Sequence, residues 1–169
     1  MENVKDTEKW LSESLTPRIT DLSPQMARLQ SGGLYAYGRD KQQRPIIVLR
    51  FREILDAGID KDNFLEINDI LTGYVVFNAM VPGQIEQYFF IVDVRNVSLW
   101  EIPVRSLISF VKHNSKFYKH RVHKFYAINL SWTVRKGVNF VWNFLDPFQK
   151  QQLGFYSDDY KDDLHYWID

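Results

Sequence analysis

The sequence predicts an α/β fold with a mainly parallel sheet and crossover helices. Short apolar runs at 88–92 and 125–128 are typical of strands that are buried on both faces. These runs alternate with segments of about a dozen or more residues whose apolar positions recur at helical spacing. Strands that alternate with such helices require crossover connections, which favour parallel pairing.

The composition is that of one globular domain. The chain has 169 residues, 45% apolar and 25% charged, with a formal net charge of zero and no cysteine. Zero net charge excludes a strong overall attraction to nucleic acid, and the lack of cysteine excludes disulfides, thiol catalysis and thiolate metal sites. We expect a monomer without a nucleic-acid partner, a metal or a cofactor.

No targeting or membrane-spanning segment is visible in the sequence. The N-terminus is polar and charged, and no run of about 18 apolar residues occurs. We expect a soluble, cytoplasmic protein.

Residues 1–33 are predicted to form a short helical N-terminal segment. A helix over about 3–15 would end at Thr16-Pro17, and a second would begin with Ser23 as its cap and Pro24 at its first position. This segment has little core of its own, so we expect it to lie against the main domain, residues 34–169.

The main domain is predicted to alternate strands and helices. Strands are expected at 34–37, 45–51, 87–94, 125–129 and 153–156. Helices are expected from the Asp60 cap to about Asn78, from Pro103 onwards, over 133–146, and at the end of the chain near Trp167.

The helix predicted over 133–146, capped by Ser131 or Thr133, has an unusually wide apolar surface. Its arc spans about 200°, twice the roughly 100° that a core-facing helix needs. Such a helix is buried in a core, covers a cavity that holds an apolar ligand, or dips into a membrane surface. Gly137 costs about 1 kcal/mol relative to alanine, which indicates close packing or a hinge. The apolar residues are Val134, Val138, Phe140, Val141, Trp142, Phe144 and Leu145.

Several segments together resemble the CRAL-TRIO lipid-binding domain family, which includes the phosphatidylinositol/phosphatidylcholine transfer proteins and the α-tocopherol transfer protein. Lys124 to Asn129, then Trp132, then Phe144 to Pro147 resemble its signature. Asp40-Lys41 followed by Arg44-Pro45 resembles the turn into its sheet, and Phe90 to Asp93 resembles its central strand. The resemblance covers about residues 34–169 and implies an apolar cavity beneath a mobile gate helix.

The resemblance implies a lipid transfer protein rather than an enzyme. It would bind one phospholipid, such as phosphatidylinositol, or another small hydrophobic ligand, and exchange it while peripherally bound to membranes. The gate, which would also meet the membrane, is predicted at Phe140, Phe144 and Phe148. The ligand is predicted to contact Tyr88, Phe90, Val92, Ile128, Val138, Val141, Trp142 and Leu145.

Four positions depart from the family's headgroup contacts. In phosphatidylinositol-transferring members a Glu and a Lys contact the inositol headgroup, and the corresponding positions here are His120 and Gln152. The Ser and Thr that contact phosphatidylcholine in the family correspond to Tyr88 and Phe90. The resemblance therefore supports an apolar ligand pocket without identifying the ligand.

Three alternatives stay open from the residues. The domain could be a lipid-sensing or protein-interaction module that docks on membranes or phosphoinositides without transfer. The basic stretch 112–124 is either a solvated helix end or a docking patch for anionic headgroups. Ser131 follows a strand and precedes a helix, where an esterase nucleophile could sit, but it lacks flanking glycines and is better interpreted as a helix cap.

Overall fold

The computed structural model describes residues 24–102, 104–118, 120–142 and 147–168. Within the helices, the side chains at 104–108, 111, 115, 138–141, 148 and 149 are outside this description. The helix predicted over 3–15 and the predicted cap at Ser23 also lie outside the described residues.

Five strands form one sheet in the order of the chain. The first two pair as an antiparallel hairpin, and each later strand runs parallel to the one before it. This arrangement confirms the predicted α/β class and the mainly parallel sheet. The strands are β1 (Leu34–Arg39), β2 (Pro45–Arg50), β3 (Tyr88–Asp93), β4 (Val122–Ile128) and β5 (Leu153–Phe155).

Helices connect the parallel strands. Those described are α1 (Pro24–Leu29), α2 (Phe51–Asp56), α3 (Lys61–Tyr74), α4 (Val104–Phe117), α5 (Trp132–Trp142), α6 (Pro147–Gln152) and α7 (Lys161–Trp167). A π-helical segment, Val75–Ala79, continues α3, and a 3₁₀ helix, Leu99–Glu101, precedes α4. Helices α2 and α6 and the 3₁₀ helix were not predicted from the sequence, because each is too short to show a periodic apolar pattern.

Local capping explains where two of the longer helices begin. Asp60 Oδ1 accepts a hydrogen bond of 2.9 Å from the Asn63 amide at the start of α3. At α5, the Ser131 hydroxyl accepts from the Val134 amide at 3.4 Å. Ser131 is therefore the cap, and Thr133 lies inside the helix. The part of this helix predicted over 143–146 is outside the described residues.

The two faces of the sheet carry separate apolar clusters. The first-face cluster contains Tyr88, Phe90 and Val92, and it packs against Ile54 of α2, Ile67 of α3, Phe110 of α4 and Val134 of α5. The second-face cluster contains Phe89 and Ile91 together with Tyr126 and Ile128, and it packs against Tyr156, Tyr160, Leu164 and Trp167. Because both faces of β3 are covered, β3 is the central strand of the core.

The turn between β1 and β2 is built around Asp40. Its carboxylate accepts hydrogen bonds from the backbone amides of Gln42 and Arg44 at 2.9 and 2.8 Å and pairs with Arg44 Nε at 2.6 Å. The neighbouring Lys41 amide donates to the Trp167 carbonyl at 2.8 Å. The turn therefore fixes the end of α7 against the sheet.

Candidate functional site

Aromatic rings line the first face of the sheet. The Phe90 and Phe125 rings are stacked, with centroids 5.3 Å apart and planes 4° from parallel. Phe110 of α4 lies 6.0 Å from Phe90 and 5.4 Å from Phe64 of α3. These contacts join the sheet to two covering helices through apolar surface alone.

Tyr88 brings a polar group into this apolar surface. Its side chain is 0% exposed, and its hydroxyl has no hydrogen-bond partner among the described residues. Burial, followed by the negative charge of Asp69, raises the pKa of Tyr88, so the phenol stays protonated. A buried hydroxyl without a partner costs about 1–3 kcal/mol. A phenol both donates and accepts, so the Tyr88 hydroxyl is, in the described part of the chain, an unpaired polar group within this apolar surface.

Asp69 on α3 holds two side chains from the region of α4. His113 Nε2 lies 2.7 Å from Asp69 Oδ1, and the Tyr118 hydroxyl donates to the same oxygen at 3.1 Å. Burial and the Asp69 charge raise the pKa of Tyr118, which keeps its proton for this bond. The negative charge of Asp69 also acts on Tyr88, so it disfavours an anionic group beside the Tyr88 hydroxyl.

Helix α5 packs against the first face and the 3₁₀ helix. Val134 is 1% exposed within the first-face cluster. A Cβ built on Gly137 would overlap Leu99 Cδ1 and lie 3.6 Å from Leu99 Cγ. Gly137 therefore allows a close approach between the two helices. This contact is one of the two explanations that the sequence left open for this glycine.

Trp142 lies over the edge of the sheet at the end of the described part of α5. Its ring contacts Phe155 of β5 edge to face, with centroids 5.7 Å apart, and Lys150 Nζ lies 5.9 Å from the centre of the Trp142 ring. Phe155 itself packs against the first-face cluster. The first and last turns of described α5 thus both contact the first face.

The structure brings some of the predicted ligand contacts together. Tyr88, Phe90 and Val92 share the first face, and Trp142 reaches that face through Phe155. Leu145 and the predicted gate residue Phe144 lie outside the described residues. The side chains of Val138, Val141, Phe140 and Phe148 are also outside the description, so their roles stay predictions.

Ile128 requires a correction, because it belongs to the second-face cluster. Side chains alternate along β4, so Phe125 and Ala127 face the first cluster while Tyr126 and Ile128 face the second. Ile128 therefore does not share a surface with Tyr88 and Phe90. Phe125 and Ala127, which were not predicted from the sequence as ligand contacts, occupy that surface.

The basic stretch 112–124 does not form one surface. Lys112, Lys116 and His120 are exposed, whereas His113 is bound to Asp69. His123 lies under α7, with its ring 5.0 Å from Trp167, and burial, followed by the charges of Arg44 and Lys124, lowers the pKa of His123 to about 4. His123 is therefore neutral at physiological pH.

Other classes of site find little support in the described part of the chain. Ser131 is occupied as the cap of α5, and its hydroxyl also lies 3.1 Å from Thr133 Oγ1. Among the described residues, no group of His, Asp and Glu side chains is arranged to hold a metal ion. None of the described helices has the length and apolar character needed to cross a bilayer.

The fold resembles that of a solved protein. The structure described as "Crystal structure of Sfh5" matches 99% of this chain with a TM-score of 0.76 and 14% sequence identity. The match covers 63% of that protein's chain, so the present chain spans less than two thirds of it. At this identity the likeness concerns the fold alone. No curated protein matches the sequence.

A protein-family comparison is more specific. The family model described as "CRAL/TRIO domain" matches residues 29–169. Proteins of this family bind or transfer lipids and are generally not enzymes. The match covers most of the chain and confirms the resemblance carried by the segments around Lys124 and Phe144. The chain belongs to the CRAL/TRIO domain family.

Proposed function

We propose that this protein binds one lipid or other small hydrophobic molecule between the first face of the sheet and α5, and exchanges it with membranes. The observation that carries the proposal is the buried Tyr88 hydroxyl, which has no hydrogen-bond partner among the described residues. An oxygen of the bound molecule would pair with this hydroxyl. The apolar remainder would lie along Phe90 and Val92, which are buried beside it.

The energetics of transfer require a lid. Burying one methylene contributes about 0.8 kcal/mol, so exposing a two-chain lipid with on the order of 30 methylenes would cost tens of kcal/mol. A carrier must therefore enclose nearly all of its ligand. Helix α5 and the residues that follow it up to Phe148 are the proposed lid. In this proposal Val138, Val141, Trp142 and Leu145 contact the ligand, and Phe140, Phe144 and Phe148 meet the membrane.

The described contacts of α5 suit an element that opens. Trp142 meets Phe155 through an edge-to-face ring pair, an interaction worth about 0.5–1.5 kcal/mol beyond the area that it buries. Contacts of this size can break and reform during exchange. We further propose that the protein is a cytoplasmic monomer that binds membranes transiently. Family membership does not favour the alternative of a module that senses lipids without transferring them.

The test has two arms. Protein purified from cells is extracted with organic solvent, and the extract is analysed by mass spectrometry for a hydrophobic molecule that is stoichiometric with the chain. The same protein is then assayed for movement of that molecule between donor and acceptor vesicles. We expect both a bound molecule and exchange. A protein that yields neither would rule out the transfer function.

A further inference from the structure

Two tryptophans beside the proposed lid are exposed to solvent. Trp100 of the 3₁₀ helix is 93% exposed, and Trp132 at the first position of α5 is 69% exposed. A single exposed apolar residue is ordinary on a protein surface, whereas neighbouring exposed apolar residues mark an interaction site. Tryptophan carries a large apolar area with one polar N–H, which suits a boundary between apolar and aqueous surroundings.

The packing of α5 places these two tryptophans on adjoining elements. Leu99 contacts Gly137, so Trp100, the next residue, lies beside the second turn of α5. Lys136 Nζ lies 3.8 Å from the centre of the Trp132 ring. We use the name tryptophan surface for the exposed side chains on these two adjoining elements, which are Trp100, Trp132, Arg135 and Lys136.

The tryptophan surface combines aromatic rings with positive charge. Arg135 and Lys136 are both exposed. The carboxylate next to Trp100 belongs to Glu101, which pairs with Arg52 at 2.6 Å and accepts the Ser98 amide at 2.9 Å. Glu101 is therefore engaged within the protein, and Arg135 and Lys136 form no ion pair with another described residue.

We propose that the tryptophan surface docks this protein on membranes that contain anionic lipids. Tryptophan prefers the interface between headgroups and acyl chains, and Lys and Arg side chains near a membrane are attracted to anionic lipids. Docking at this surface would place the first turns of α5 next to the membrane from which the ligand is taken. This role in ligand exchange rests on the proposed function, but the surface is separate from the predicted gate residues Phe140, Phe144 and Phe148.

The experiment is cosedimentation of the full chain with two kinds of vesicle, phosphatidylcholine with and without phosphatidylserine. Wild type should bind more tightly when phosphatidylserine is present. Trp100→Ala and Trp132→Ala should each weaken binding roughly tenfold, which corresponds to partial burial of one aromatic side chain. Lys136→Ala should weaken binding about fivefold on the anionic vesicles alone.

Tyr166→Ala is the matched control, because Tyr166 is an aromatic residue of α7 that is 70% exposed. It should bind vesicles as wild type does. Quenching of tryptophan fluorescence by brominated phosphatidylcholine supplies a second readout, which should be strong for wild type and largely lost in Trp100→Ala/Trp132→Ala. Circular dichroism of that double variant should match wild type, since both side chains are exposed.

Three outcomes would overturn the docking proposal. They are a wild type that binds neither kind of vesicle, a double variant that binds them as wild type does, and a Tyr166→Ala control whose vesicle binding is weakened as much as that of the tryptophan variants.

Solvent extraction separates this proposal from the proposed function. The double variant should keep its bound molecule and lose only the rate of exchange. If wild-type protein contains a bound hydrophobic molecule but does not bind vesicles, the docking proposal is refuted and the proposed ligand binding is not.

Discussion

Gly137 of α5 and Leu99 of the 3₁₀ helix are in direct contact, and a methyl group on Gly137 would overlap Leu99 Cδ1. A glycine inside a helix costs about 1 kcal/mol relative to alanine. The close approach that it allows brings α5 beside the segment that leads into α4. Helix α5 and the 3₁₀ helix therefore meet where residue 137 carries no side chain.

Gly137→Ala should raise stability by less than the gain of about 1 kcal/mol that helix propensity alone would give. The new methyl group would meet the free end of the half-buried Leu99 side chain, which must turn away at a small cost. In a Leu99→Ala background the same substitution should give the full gain of about 1 kcal/mol, since the obstructing side chain is gone. Urea unfolding of the four proteins measures this coupling. Equal effects of Gly137→Ala in both backgrounds would show that the contact is unimportant.

Two buried tyrosines should respond oppositely to removal of the hydroxyl. Tyr88→Phe removes a hydroxyl that has no partner among the described residues, so the ligand-free protein should gain about 1 kcal/mol in the free energy of unfolding. Tyr118→Phe removes the donor to Asp69 and should lose about 1 kcal/mol. Denaturant titration of delipidated protein distinguishes them. A loss of stability in both variants would mean that Tyr88 has a partner in the ligand-free protein.

The stability of the fold should decrease in mild acid because of His123. Burial lowers its pKa from the usual 6.5 to about 4 in the folded protein. Between these two values the unfolded chain binds the additional proton, so the free energy of unfolding falls as the pH is lowered through this window. His123→Gln, which cannot ionise, should show a smaller decrease. Unfolding curves across the window measure it, and identical slopes for both proteins would contradict the burial of His123.

The Trp142–Phe155 contact should couple the lid to β5. We expect Trp142→Ala and Phe155→Ala each to destabilise the protein by about 1–3 kcal/mol, below the value for fully buried aromatics because both rings are half-buried. The double variant should recover about 0.5–1.5 kcal/mol relative to additivity. A thermodynamic cycle from urea unfolding tests this. Strict additivity would indicate that the two rings do not interact in solution.

The elements that could be predicted from the sequence are those specified by local chemistry. The Asp60 cap and the apolar runs around Phe90 and Phe125 depend only on neighbouring residues, and the structure confirms them. Helices α2 and α6 were missed because each has six residues, too few for a periodic signal.

The candidate site was harder to predict because it depends on contacts between distant segments. Ile128 was predicted to contact the ligand, although alternation from Phe125 along β4 could have placed it on the other face. The burial of His123 depends on Trp167 returning over the sheet, which no local pattern indicates. The same holds for the contact of Asp69 with Tyr118, since these residues lie in separate segments.

Native mass spectrometry of the purified protein tests the central claim most directly, because it counts ligands per chain. We predict that wild type carries one hydrophobic molecule, that Tyr88→Phe carries it in a smaller fraction of chains, and that Tyr118→Phe retains the wild-type fraction. Wild-type protein with only the mass of the bare chain, or equal occupancy in wild type and Tyr88→Phe, would contradict the account of a ligand held on the first face of the sheet.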